Sequence, residues 1–147
     1  FPAARIFLGD AGSLFLGYSL GASAVLAIEG GPRGWGQLGP VLALAYPAFD
    51  MIFVVVTRLR DGRKVYQGGR DHTNHRLASV LKCPKKPVLL LWVSGAVLSA
   101  SGLVVQSLNQ AMPALLLAGL WSVLLLATGM RLSSVPIEAS PPRPSRS

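Results

Sequence analysis

Two histidines, two arginines and an aspartate fall within seven residues of the stretch Gly68-Gly69-Arg70-Asp71-His72-Thr73-Asn74-His75-Arg76-Leu77. They are the only histidines of the 147-residue chain. An arginine offers a planar fork of donors that fits phosphate oxygens. Histidine donates hydrogen bonds or moves protons near neutral pH. The glycine pair ahead of the cluster lets the backbone turn tightly or come close to a ligand. The plainer account is a solvated basic loop that fixes membrane orientation. Orientation needs only Lys and Arg, however, and gains nothing from His72, His75 or Asp71.

The elements that hold this loop are apolar. Hydrophobic residues make up 51% of the chain and charged residues 14%, against about 25% charged in a soluble domain. Mean hydropathy is +0.49. We expect an all-α, polytopic membrane protein with about four transmembrane helices, at 12–28, 38–57, 88–108 and 113–130. One long basic loop, 58–87, separates the second span from the third, and a Pro-, Ser- and Arg-rich tail, 132–147, is expected to be disordered. Ser13, Gly17 and Gly21 recur every four residues and predict a smooth stripe for helix packing. Pro47 and Asp50 interrupt the second span. Pro47 removes a backbone hydrogen bond and is expected to open the helix there. Asp50, about 12 Å along a helix from Arg58, must face protein, water or a cation. It either pairs with a basic residue of the loop, stays protonated, or belongs to a polar site.

The net charge of +8 does not imply nucleic acid, because no aromatic residues interleave the basic ones to stack bases. The charge reports topology. Arg58, Arg60, Arg63, Lys64, Arg70, Arg76, Lys82, Lys85 and Lys86 lie in the central loop, and Arg5, Arg131, Arg143 and Arg146 fall on the same side of four crossings. Only Arg33 lies opposite, so the loop is expected to be cytoplasmic. Asp10, the loop end of the second span and the His/Arg cluster then share one mouth. Carboxylates for a cation beside Arg and His for phosphates suggest a metal-assisted phosphate site. Cys83, the single cysteine, has no partner for an internal disulfide and no metal-ligand spacing around it.

Three segments carry a resemblance. Phe7-Leu8-Gly9-Asp10-Ala11-Gly12-Ser13, followed by Gly17, resembles the F-x-G-D-x-G-S segment of polyprenyl-phosphate N-acetylhexosamine-1-phosphate transferases. Pro47-Ala48-Phe49-Asp50, then Arg58, resembles the P-x-x-D helix of that family. Arg70-Asp71-His72-Thr73-Asn74-His75-Arg76-Leu77 resembles its R-D-H-x-H-H-R-L signature. The motifs cover about residues 1–77, and the later spans match in pattern. The resemblance implies a C-terminal part of a fold of roughly ten membrane helices in the bacterial inner membrane. It implies transfer of N-acetylhexosamine-1-phosphate from a UDP-sugar to polyprenyl (undecaprenyl) phosphate, with release of UMP, at the start of a lipid-linked glycan such as peptidoglycan or lipopolysaccharide.

The same resemblance assigns roles. Asp10 becomes the ligand of Mg²⁺ (or Mn²⁺) and a catalytic residue. His72 and His75 join it as catalytic residues, and Arg70, Asp71, Asn74, Arg76 and Asp50 as substrate-binding residues, with Asp71 also orienting the loop by pairing with a basic neighbour and Asp50 part of the polar surroundings. The bilayer is a further partner and a homodimer is expected. Two departures stand out. Asn74 occupies the place of the first paired histidine, and Asn cannot act as an acid or base at neutral pH. The family's Asp-Asp pair lies upstream of the G-D-x-G-S segment, so this chain alone is expected to be inactive. A non-catalytic or truncated membrane subunit is the alternative, followed by a transporter built on Asp50 and the interrupted span.

Overall fold

A computed structural model describes residues 8–66, 71–83 and 85–135. Among them the protein is helical and holds no strand. The elements are α1 (Gly9–Gly30), a 3-10 turn (Trp35–Gln37), α2 (Leu38–Ala43), α3 (Ala45–Arg60), α4 (Thr73–Leu81), α5 (Lys85–Leu108) and α6 (Ala111–Ser133). Helices α1, α5 and α6 are each long and apolar enough to cross a membrane, and the bent pair Trp35–Ala43 and Ala45–Arg60 makes a fourth span if counted as one. The chain is an all-α polytopic membrane protein. The helices overrun the expected spans by two to three residues at most ends. α6 reaches Ser133, two residues into the expected tail; residues 136–147 lie outside the described ones.

The second span is broken, with a 60° bend between its two halves. The break falls at Leu44, whose φ is −92° and ψ 0°, rather than at Pro47 itself. Proline withholds the N–H that the carbonyl four residues earlier needs, and its ring crowds that carbonyl. The residue four before Pro47 is Ala43, the last residue of α2. The helix therefore stops where Pro47 can no longer support it, and restarts with Pro47 in the first turn of α3.

The described residues fall into two compact units, the first within 8–46 and 93–122 and the second within 47–92 and 123–135. In the first, Leu42, Val105 and Ala114 form a buried core flanked by Leu38, Leu117 and Ala118. Gly39 and Gly102 touch backbone to backbone, so a side chain on either would collide with the other's carbonyl oxygen. This is the close approach that small residues permit between membrane helices. Asn109, at φ +47°, accepts from the Gly36 N–H at 2.7 Å and donates to the Arg33 carbonyl at 3.0 Å. On α1 a Cβ added at Gly17 or Gly21 would meet no atom within 4 Å among the described residues, and no residue of α1 is buried there.

The second unit holds the loop. Within the stretch expected as one long basic loop, 58–87, lie the end of α3, the whole of α4 and the start of α5. α3 terminates in a Schellman motif: the Arg63 N–H bonds the Arg58 carbonyl at 2.8 Å and the Gly62 N–H bonds the Leu59 carbonyl at 3.1 Å. Gly62 takes φ +65° there, the left-handed conformation that a residue without Cβ adopts at no steric cost. α4 follows from Thr73.

Candidate phosphate-transfer site

The signature segment is held by two carboxylates of different kinds. Asp71 is fully buried. Arg58, itself 7% exposed, donates to Asp71 Oδ2 from Nε at 2.8 Å and from Nη2 at 2.5 Å, and its Nη1 donates to the Val65 carbonyl at 2.5 Å. Arg63 Nη1 donates to Asp71 Oδ1 at 2.8 Å. The Schellman turn brings Arg63 back to this carboxylate. Burial opposes the charge on Asp71, but the hydrogen bonds from Arg63 and Arg58 outweigh it and hold the carboxyl below its ordinary range. Asp71 thus faces the interior and two arginines. It braces the signature segment from behind.

Asp50, on α3, reaches the start of α4. Its Oδ1 accepts from the Thr73 N–H at 2.9 Å and from Thr73 Oγ1 at 2.7 Å. Its Oδ2 lies 2.8 Å from His72 Nδ1. α4 lacks a capping side chain of its own at His72. Asp50 fills that role from another helix, where a negative charge also suits the helix dipole. A carboxylate in an apolar span is costly alone; here it has two donors from Thr73 and the His72 ring as partners.

Arg76 is 4% exposed and is turned to a structural task. Its Nη1 donates to the carbonyls of Leu132 at 3.0 Å and Val135 at 3.1 Å, which closes the C-terminal end of α6. Its guanidinium also lies 5.3 Å from the centre of the Phe53 ring. Asn74 Oδ1 and Arg76 Nε are buried polar atoms without a hydrogen-bond partner. His72 keeps 44% of its side chain exposed, and His75 is exposed on α4. These two rings are the accessible chemistry of the described segment. Arg70, with Gly68 and Gly69, lies outside the described residues.

The structure therefore brings Asp50, Asp71, His72, Asn74, His75 and Arg76 into one unit. Asp10 belongs to the other unit, exposed in the first turn of α1. Among the described residues no group of three or more His, Cys, Asp or Glu side chains could hold a metal ion. Asp10 offers one exposed carboxylate, an oxygen donor of the type that Mg²⁺ takes. Sequence reasoning missed Arg63 and Thr73. Arg63 was hidden among loop cations; its signal was the glycine directly before it, at a helix end. A cleft of about 240 Å³ in this unit is lined by Thr57, Arg60, Asp61, Ser133 and Ser134 and includes neither histidine.

No protein-family model matches the chain, and no solved structure matches it. Among curated proteins, a probable undecaprenyl-phosphate N-acetylglucosaminyl 1-phosphate transferase of Bacillus subtilis is 31% identical over 107 residues, covering 73% of this chain and 30% of that protein. The decaprenyl-phosphate N-acetylglucosaminephosphotransferase of Mycolicibacterium smegmatis is 33% identical over 106 residues, covering 63% and 26%. The undecaprenyl-phosphate alpha-N-acetylglucosaminyl 1-phosphate transferase of Haemophilus influenzae is 24% identical over 102 residues, covering 69% and 29%. The chain is homologous to a part of these transferases. It spans less than a third of the length of each.

Proposed function

We propose that this chain forms part of a polyprenyl-phosphate N-acetylhexosamine-1-phosphate transferase of the bacterial inner membrane. The reaction passes a sugar-1-phosphate from a UDP-sugar to polyprenyl phosphate and releases UMP. The observation that carries this reading is the built histidine segment: two accessible imidazoles on a short helix whose start is fixed by Asp50 and Asp71. The names of the relatives support the same chemistry. His72 and His75 hold the diphosphate, and Arg70 adds a phosphate-binding cation on the same segment. Arg58, Arg63 and Asp71 hold the segment's shape. Bound Mg²⁺ would neutralise the oxygens around the transferred phosphorus, with Asp10 as its ligand from this chain. An apolar cleft of about 290 Å³ in the first unit, lined by Leu20, Ala24, Pro40, Leu44 and Leu103 among others, offers a surface of the right chemistry for an isoprenoid chain. The segment's side is assigned to the cytoplasm, where UDP-sugars are found. Transport is disfavoured because Asp50, the residue it would rest on, already caps α4.

The test is release of radiolabelled UMP from UDP-GlcNAc in membranes supplied with undecaprenyl phosphate, using the complete polypeptide. His72→Lys/His75→Lys preserves or raises positive charge and removes the imidazole geometry. Loss of most transferase activity, with membrane insertion unchanged, is expected. Full activity would reduce the segment to a topological anchor and overturn the site.

A further inference from the structure

Resting on that reading, we propose that Asp50 is a positioning residue that makes Nε2 of His72 the one atom of the ring at which a proton is exchanged. The argument starts from the two oxygens of Asp50. Oδ1 receives two donors, the Thr73 N–H and the Thr73 hydroxyl, at 2.9 and 2.7 Å. The backbone donor belongs to the first residue of α4, and with two donors aimed at it Oδ1 acts only as an acceptor, as the oxygen of a carboxylate does. An ionised carboxylate only accepts. Its Oδ2, 2.8 Å from His72 Nδ1, therefore requires the hydrogen on Nδ1. Nδ1 keeps that hydrogen whether the ring is neutral or protonated. The change between the two states is confined to Nε2, which accepts in one and donates in the other.

The neighbouring charges leave this arrangement intact. Asp71, adjacent in sequence to His72, is committed to Arg58 and Arg63. Thr73 presents its donors to Asp50. With 44% of the His72 side chain exposed, the ring stays accessible to a phosphate or hydroxyl of substrate. When neutral, Nε2 takes a proton; when charged, it returns one or donates to a phosphate oxygen. A carboxylate that orients a histidine and sets its tautomer is a positioning device in many acid–base sites.

The geometry gives the substitution Asp50→Asn a definite result. The two Thr73 donors still need an acceptor, so the amide oxygen takes the place of Oδ1. The amide NH₂ then faces His72 Nδ1, which must become an acceptor, and the neutral ring carries its hydrogen on Nε2. One isosteric change inverts the tautomer while the cap on α4 is kept.

The experiment is ¹⁵N NMR of the complete polypeptide in nanodiscs with labelled histidine, His72→Gln identifying the resonances. In the unsubstituted protein, neutral His72 should carry its hydrogen on Nδ1, and in Asp50→Asn on Nε2. Turnover should fall by about a hundredfold in Asp50→Asn, the usual worth of a positioned acid–base group, and adding Asp50→Asn to His72→Gln should cost nothing further. An Nε2–H tautomer in the unsubstituted protein overturns the proposal, whatever the activity and however the variant folds. So does an inverted tautomer with undiminished turnover. The NMR arm needs no substrate, so failure of the transferase reading leaves it standing and the two are separable.

Discussion

Replacing Asp71 by Asn should strand a buried arginine, and the cost can be worked from the structure. Asp71 is 0% exposed at its side chain and Arg58 8%, while Arg63 is 36% exposed. Removing one partner of a buried ion pair costs about 3–5 kcal/mol, because the other charge stays desolvated. The Arg63 contact is screened by solvent and adds only about 0–1 kcal/mol. Arg58 keeps the Val65 carbonyl, which places the expected loss near the lower end, about 3 kcal/mol. Hydrogen exchange in nanodiscs reads it directly: amides of 58–66 and 71–76 should exchange about a hundredfold faster, since about 1.4 kcal/mol is a factor of ten. The sign with pH also follows. The folded carboxyl of Asp71 lies below its ordinary range, so its contribution is complete above the unfolded value of about 4 and is lost as pH falls through the folded one. The gap between variant and parent should be flat at neutral pH and close in acid. Arg58→Met added to Asp71→Asn should recover part of the loss by removing the stranded charge. Exchange changed less than about threefold, or a double variant no better than the single one, would refute the reasoning.

Arg76→Met should free the end of α6, and trypsin should then cut at Arg131 measurably faster than in the parent; equal rates would remove Arg76 from its capping role. Asp10→Asn in the complete polypeptide should sharply reduce Mg²⁺-dependent UMP release with insertion unchanged, because the amide keeps the shape and loses the charge that offsets the cation; near-normal turnover at ordinary Mg²⁺ would take Asp10 out of the site. Pro47→Ala should straighten the bent span by restoring the donor for Ala43, lengthening the distance between spin labels at Val41 and Met51; an unchanged distance would show that packing, and not Pro47, sets the bend. Backbone N–H groups of Lys85 and Lys86 pull the Cys83 thiol below its ordinary range, so it should react readily with a charged maleimide in inside-out vesicles and stay protected in intact cells; labelling in intact cells would reverse the topology.

The sequence made the spans legible because their periodicity is simply apolar length, and it marked Asp50 because a carboxylate stands out in an apolar run. It did not reveal that carboxylate's partners. His72 is 22 residues away, and the contact exists only because α4 starts where it does, a short helix in a polar stretch with no capping side chain of its own. Arg76 matched the phosphate ligands by type, yet the structure spends it on the carbonyls of α6, 56 residues on. Side-chain chemistry cannot distinguish these uses, because a guanidinium suits a phosphate and a helix end equally well. Arg63 was masked in the opposite way. The positive-inside rule accounts for it by charge alone, and only Gly62 before it marks the turn that carries it to Asp71.

The bond from Arg76 to the end of α6 also orders events in time. Its two ends are separated by 56 residues of chain. At a synthesis rate of about 5–20 residues per second, Leu132 is made about 3–11 s after Arg76. Until α6 is made and inserted, the buried guanidinium has no carbonyls to close upon. The signature helix therefore spends its first seconds with Asp50 and Asp71 as its fastenings and its third one missing. Assembly of the histidine segment is completed from the C-terminal side, so a ribosome stalled before Leu132 should yield a membrane-inserted chain whose α4 is cut by protease, and one stalled well after it a chain whose α4 is protected.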